Sequence, residues 1–100
     1  MCYIVAPPNI TKQPTNVTIQ VLQDATFRCE ASGFEVKYEW KRHDNNSIIG
    51  RQFNLTISEA TSLDEDQYYC VAMTEGGCAF SNNVTLTVTG GENNNVINIS

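Results

Sequence analysis

Residues 64–73, with the sequence DEDQYYCVAM, decide the fold of this 100-residue chain. The acidic residues at the start are typical of a turn, and the segment then places Tyr68, Cys70 and Ala72 at alternate positions. Successive side chains of a β-strand point to opposite faces, so these three side chains share one face and enter a core together. The stretch therefore predicts a strand that is buried on one side.

The same alternation of apolar and polar positions occurs on both sides of this stretch. Five further segments show it, at residues 17–21, 27–31, 36–40, 53–57 and 84–88. Helical periodicity is weak, and turn-forming residues separate the segments. Six short strands, each buried on one side, predict an all-β fold in which two antiparallel sheets pack face to face.

The two ends of the chain differ from its middle. Pro7, Pro8 and Pro14 favour a kinked edge strand, because proline cannot donate a hydrogen bond to a central ladder. Residues 90–95, GGENNN, are typical of a flexible linker. We therefore expect an N-terminal segment at residues 1–7, one domain at 8–89, and an exit linker or tail at 90–100.

Four sequence features follow one another in a fixed order. Cys29 is followed eleven positions later by Trp40, then by Leu55-Thr56-Ile57, and finally by Asp64-x-x-x-Tyr68-x-Cys70. This order resembles the signature of the immunoglobulin superfamily over residues 8–89. The resemblance implies an immunoglobulin-like β-sandwich with sheets A-B-E and G-F-C-C′, in the strand letters of that family. It also implies that Cys29 and Cys70 form a disulfide, that Trp40 packs against it, that Leu55 lies in the core and that Tyr68 forms the tyrosine corner.

Two features depart from the usual family pattern. Asp66 stands where a small residue is usual, which predicts a more open or more charged tyrosine corner. Only fourteen residues lie between Trp40 and Leu55, too few for complete C′, C″ and D strands. The chain therefore resembles an intermediate or D-strand-less set rather than an antibody variable domain.

Two cysteines remain, and four cysteines allow three pairings. In the family that the chain resembles, the chain start lies beside the first part of strand G. Cys2 precedes strand A and Cys78 opens strand G, so we expect a second disulfide between them. The alternative is that Cys2 pairs elsewhere and leaves Cys78 as a free thiol.

The motif Asn-x-Ser/Thr, without proline in the middle, marks acceptors for N-linked glycosylation. It occurs six times, at Asn9, Asn16, Asn45, Asn54, Asn83 and Asn98. Incidental asparagine and threonine in turns and strands are the alternative explanation. We favour a glycoprotein that is secreted or exposed at the cell surface, as part of a larger protein.

Alternation also predicts which side chains point away from the core on the G-F-C-C′ sheet. Tyr69, Val71 and Met73 would form an apolar stripe, and interfaces favour aromatic residues and methionine at their centre with charges at the rim. We predict a protein-binding face that consists of Tyr69, Val71, Met73, Lys37, Glu39 and Lys41. The alternative is that a neighbouring loop or a glycan covers the stripe.

Composition and motifs exclude several other functions. The net charge of −5 opposes binding to nucleic acid, and the apolar runs are too short to insert into a membrane. The only histidine, His43, lies in a polar loop without a nucleophile beside it, so we expect no enzymatic activity. We expect no cofactor, and we disfavour a calcium site at Asp64-Glu65-Asp66.

The expected partner is another protein, with a second copy of this chain or another immunoglobulin domain as candidates. We expect a module of a cell-adhesion or receptor protein, with a role in immune recognition among the options. The competing interpretation is a structural spacer in a tandem array of such domains.

Overall fold

The structure is a computed structural model that describes residues 6–90, and its regular elements lie between Asn9 and Thr89. Most strands contain Val, Ile, Thr, Tyr or Phe, whose side chains suit a pleated surface with one buried face. The strands are β1 Asn9–Lys12, β2 Val17–Gln20, β3 Ala25–Arg28, β4 Glu30–Ser32, β5 Lys37–Arg42, β6 Ile48–Gly50, β7 Asn54–Ile57, β8 Asp66–Thr74, β9 Gly77–Phe80 and β10 Val84–Thr89. A single 3₁₀ turn, Ser62–Asp64, lies between β7 and β8.

The larger sheet has the strand order β2-β10-β8-β5-β6, and β9 pairs with β8 beyond the start of β10. β2 runs parallel to β10, whereas the other pairs in this sheet are antiparallel. On the other side of the core, β1 pairs with β4 and β3 pairs with β7. The predicted all-β immunoglobulin-like sandwich is confirmed, with β1, β3, β4 and β7 as sheet A-B-E and β10, β9, β8, β5 and β6 as sheet G-F-C-C′.

The core contains the residues that the motifs predict. Trp40 is fully buried, Tyr68 is 1% exposed and Leu55 is 6% exposed. Phe27 joins them, with its ring centroid 6.0 Å from that of Trp40 and 5.6 Å from that of Tyr68. Burying each of these side chains stabilises the fold by roughly 2 kcal/mol, so the aromatic cluster helps to hold the two sheets together.

One predicted inward position is wrong. Phe53 remains 40% exposed, although alternation places it on the same side as Leu55. It precedes β7, and its ring packs against Tyr38 and beneath the guanidinium group of Arg28, at 6.5 Å and 5.3 Å between the respective centres. The alternation at residues 53–57 therefore begins one position before β7 does.

The tyrosine corner is not more open than usual but contains an ion pair. The Tyr68 hydroxyl donates a hydrogen bond to the Asp64 carbonyl, and Arg42 Nε lies 3.0 Å from Asp66 Oδ2. Burial raises the pKa of Asp66, but hydrogen bonds from the Gln67 amide and from Arg42 outweigh burial and lower the pKa. Asp66 stands where a small residue is usual and supplies an ionic partner for Arg42. Of the two predicted alternatives, a more open or a more charged corner, the structure has the more charged one.

The strands lie within the expected domain at residues 8–89, but its exact limits stay a prediction. Residues 1–5 and 91–100, which hold most of the expected N-terminal segment and linker, lie outside the described residues.

Candidate functional site

The strand register places the six predicted interface residues in three directly opposed pairs between β5 and β8. These pairs are Lys37 with Met73, Glu39 with Val71, and Lys41 with Tyr69. They alternate with pairs that face the core, such as Trp40 with Cys70. We call the side that carries the three pairs the outer face. The structure therefore brings the six residues together on one surface, and their role in binding stays a prediction.

The expected exposed stripe is wrong at its centre, because Val71 is only 5% exposed. Val71 lies opposite Glu39 on β5 and opposite Phe80 on β9, and both neighbours carry longer side chains. Directly opposed side chains in a sheet stand about 5 Å apart, so these two shield the shorter valine between them. Glu39 also pairs with Arg51, at 3.4 Å between Oε2 and Nη1. The outer face is consequently closed in the middle and open at two ends.

The first open end, which we call the Met73 end, is a hollow lined by Phe34, Glu35, Lys37, Met73, Thr74 and Glu75. Phe34 is 62% exposed, and it combines here with Met73, one lysine and two glutamates. Sequence reasoning missed Phe34, because it lies between β4 and β5 where no alternation applies.

A tight turn presents Phe34. Gly33 has a φ of +151°, and a Cβ atom there would lie 3.1 Å from Val36 Cγ2 and 3.2 Å from Thr74 Cγ2. Glu35 also has a positive φ, +55°, which is uncommon for a residue with a side chain. The glycine before Phe34 was the available signal, since such a turn displays the side chain at its tip.

The second open end, which we call the Phe80 end, is a hollow lined by His43, Asn46, Tyr69, Phe80, Ser81 and Asn83. Phe80 is 61% exposed, and its ring centroid lies 6.1 Å from that of Tyr69. The Tyr69 hydroxyl donates a hydrogen bond of 2.8 Å to Asn46 Oδ1. Sequence reasoning missed Phe80, although its spacing of two from Cys78 places both side chains on the outer face.

The edge strand β6 adds further apolar surface. Ile48 is 42% exposed and lies opposite Lys41, and Ile49 is 40% exposed. Both were missed, because β6 is only three residues long and its two isoleucines are consecutive rather than alternate.

Cys29 and Cys70 are fully buried and lie side by side in the core. Interaction with Cys29 and burial together raise the pKa of Cys70, while interaction with Cys70 lowers the pKa of Cys29. The two side chains lie close together as predicted, and the disulfide bond between them stays a prediction.

Cys78 is exposed on the outer face opposite Met73, and its expected partner, Cys2, lies outside the described residues. The described chain nevertheless begins close to Cys78. The Thr74 hydroxyl donates a hydrogen bond of 3.0 Å to the carbonyl of Ala6, and a Cβ atom on Gly77 would lie 3.3 Å from Pro7 Cβ. The second disulfide also stays a prediction.

All five glycosylation motifs in residues 6–90 have an exposed asparagine, at Asn9, Asn16, Asn45, Asn54 and Asn83. Asn98 lies outside the described residues. Whether any of them carries a glycan stays a prediction.

The acidic stretch at the tyrosine corner is already occupied by the protein's own donors. Asp64 accepts a hydrogen bond from the Thr61 amide, Glu65 accepts one from the Val88 amide, and Asp66 binds Arg42. Within residues 6–90 no group of three or more potential metal ligands comes together. No helix in the same residues has the length and apolar character needed to cross a membrane.

Known proteins similar to this chain share the same domain type. A family model described as an immunoglobulin domain matches residues 7–73. Roundabout homolog 1 from Rattus norvegicus is 33% identical over 87 residues, which cover 81% of this chain and 5% of that protein. Kin of IRRE-like protein 3 from Homo sapiens is 26% identical over 84 residues, which cover 83% of this chain and 11% of that protein. The chain therefore spans only a small part of the curated relatives it matches.

A solved structure of Sidekick-1 immunoglobulin domains 1–5 superposes with a TM-score of 0.74 and 26% identity, over 85% of this chain and 20% of that one. The curated relatives are cell-surface or extracellular adhesion and receptor proteins.

Proposed function

The chain belongs to the immunoglobulin-domain family, and we propose that it is an extracellular protein-binding module of a cell-adhesion or receptor glycoprotein. It recognises another protein through the outer face of its larger sheet. The partner is either a second copy of this chain or a different protein, and another immunoglobulin domain is a candidate of either kind.

The observation that carries this proposal is the composition of the Met73 end. An exposed phenylalanine and a methionine stand beside Lys37, Glu35 and Glu75 in one hollow. Binding energy in protein interfaces concentrates in aromatic and other large side chains that fill a desolvated pocket, with charged residues around them. The hollow offers both parts of that arrangement on the side of the sheet that faces away from the core.

The test measures binding by a tetramer of the biotinylated chain on streptavidin to an array of extracellular domains from the same organism, including this chain. We expect Met73→Glu to raise the dissociation constant for the bound partner about tenfold or more, because the substitution places a charge at the centre of the interface. Thr26→Glu is the matched control, since Thr26 is exposed on β3 in the opposite sheet. Equal affinities of the two variants would remove the outer face from the proposal.

Two disulfides complete the proposed extracellular module. Because Cys29 and Cys70 lie close together in the core, an oxidising compartment can join them, and the closed loop stabilises the fold by roughly 4 kcal/mol in a chain-entropy model. The second disulfide joins Cys2 to Cys78 and ties the chain start to β9. Peptide mapping under non-reducing conditions checks both, and a free thiol at Cys78 in the secreted protein would refute the second pairing.

A spacer in a tandem array is the second candidate function. The small fraction of each relative's length that the chain spans favours it, because those proteins extend far beyond one such domain. In that case the tetramer binds nothing on the array, and Met73→Glu has no effect beyond that of Thr26→Glu.

A further inference from the structure

We propose that the Phe80 end is the seat of the first N-acetylglucosamine of an N-linked glycan on Asn83, with the rings of Phe80 and Tyr69 as its platform. This inference rests on the extracellular glycoprotein part of the proposed function, but its test does not depend on the protein-binding face. It assigns a role to the aromatic pair Phe80 and Tyr69, which lies outside the hollow at the Met73 end.

The acceptor and the platform already belong to one hollow. Asn83 begins the motif Asn83-Val84-Thr85, is exposed, and lines the same hollow as Tyr69 and Phe80. Phe80 lies only three residues before it and is 61% exposed. A sugar attached to Asn83 therefore starts beside the two rings, and stacking over them requires no long excursion of the glycan.

The chemistry of a pyranose ring suits this platform. One face of N-acetylglucosamine presents C–H groups of slightly positive character, and the face of an aromatic ring is slightly negative. The hydroxyl and acetamide groups at the sugar's edge need hydrogen-bond partners, and the exposed side chains of His43 and Asn46 border the same hollow. The Ser81 hydroxyl has no proton left to donate to the sugar, because it donates to the Asn82 carbonyl at 2.9 Å, and it also accepts from the Cys70 amide at 2.9 Å.

The backbone between Phe80 and Asn83 is fixed, so the ring and the acceptor keep their relative position. The Ser81 amide donates to the Cys70 carbonyl at 2.8 Å, and the Asn82 amide donates to Gln13 Oε1 at 2.9 Å. Phe80 is paired with Val71 in β9, and Val84 is paired with Tyr68 in β10. A platform whose backbone is already ordered binds at a lower entropic cost.

Phe34 supplies the matched control. It is 62% exposed, almost the same as Phe80, but no asparagine lines its hollow. If the glycan contacted any exposed aromatic residue, removing either phenylalanine would reduce the stabilisation by the sugar. If the proposed contact is specific, only removal of Phe80 reduces it.

The experiment uses the full chain secreted from cells that attach N-glycans, trimmed by an endoglycosidase to a single N-acetylglucosamine per site. Four proteins form a cycle: the parent chain, Asn83→Gln, Phe80→Ala and the double variant. We expect the sugar on Asn83 to raise the midpoint of thermal unfolding by about 2–5 °C when Phe80 is present, and by about 1 °C or less in the Phe80→Ala background. Phe34→Ala is expected to retain the full increase.

A direct readout accompanies the cycle. In proton NMR spectra, ring currents should shift sugar C–H resonances of the Asn83 residue upfield, and Phe80→Ala should abolish that shift. An unmodified Asn83 by mass spectrometry, an equal thermal increment with and without Phe80, or an upfield-shifted sugar that disappears with Asn45→Gln instead would each overturn the proposal.

Discussion

The two ends of the outer face display phenylalanines of nearly equal exposure, 62% for Phe34 and 61% for Phe80, but support them differently. Phe80 lies in a strand, stacks near Tyr69, and is followed by residues whose amides are bonded to the core and to Gln13. Phe34 stands at the tip of a turn with two residues of positive φ. A phenylalanine side chain therefore belongs to a platform with a second ring at one end, whereas at the other end it projects from a turn without a neighbouring ring among the described residues.

What separates the two ends is the closed centre at Val71. If Val71 were as exposed as alternation suggests, the outer face would be one continuous apolar stripe with one function. Because Glu39 and Phe80 stand on either side of it, each end has its own neighbours.

The largest expected loss of stability comes from a substitution at Val71, in the closed centre of the outer face. Val71→Glu places a charge in a site that is 5% exposed, and we expect it to reduce the free energy of unfolding by about 3 kcal/mol or more. Met73→Glu, two residues along the same strand, is half-buried at the open end and should cost less than about 1 kcal/mol. Urea denaturation of both variants measures the difference, and equal losses would show that the centre is as open as the ends.

This contrast shows what the sequence could predict. Trp40, Tyr68 and Leu55 are predictable core residues, because the alternation along each strand and the resemblance to the immunoglobulin signature both place them there. The side of the sheet on which Val71 lies also follows from alternation. Its exposure does not, because it depends on Glu39 and Phe80, which are distant in sequence and become neighbours only through strand pairing.

The same reason explains the other misses. Phe34 lies in a turn and Ile48 in a three-residue edge strand, where no periodicity is long enough to indicate a face. Local pattern therefore predicts strands and their inward sides, while the shape of the surface requires the register between strands.

The ion pair at the tyrosine corner provides the next test. Arg42 and Asp66 join β5 to the start of β8, and Asp66 has a lowered pKa. Since the folded state holds the carboxylate ionised, this stabilisation is fully present above the unfolded aspartate pKa of about 3.9 and is lost as pH falls through the lower folded pKa. We expect Asp66→Asn to cost about 1–2 kcal/mol at pH 7 and much less near pH 2.

Hydrogen exchange locates this effect. The His43 amide donates to the Gln67 carbonyl at 2.8 Å, next to the ion pair, so its protection should fall in Asp66→Asn. Amides of residues 71–73, which lead to the Met73 end, should keep their protection. A uniform loss along β8 would mean that the ion pair supports the whole sheet rather than one end.

The smallest expected effect concerns the hydrogen bond that orients the platform itself. Tyr69→Phe removes the 2.8 Å bond to Asn46 Oδ1 but retains the ring, and we expect a loss of about 0.5 kcal/mol, because the pair is exposed to water. A double-mutant cycle with Asn46→Ala isolates the bond from other effects of each change. If Tyr69→Phe costs the same with and without Asn46, the hydroxyl and Asn46 are not coupled, and the hydrogen bond between them does not stabilise this end of the face.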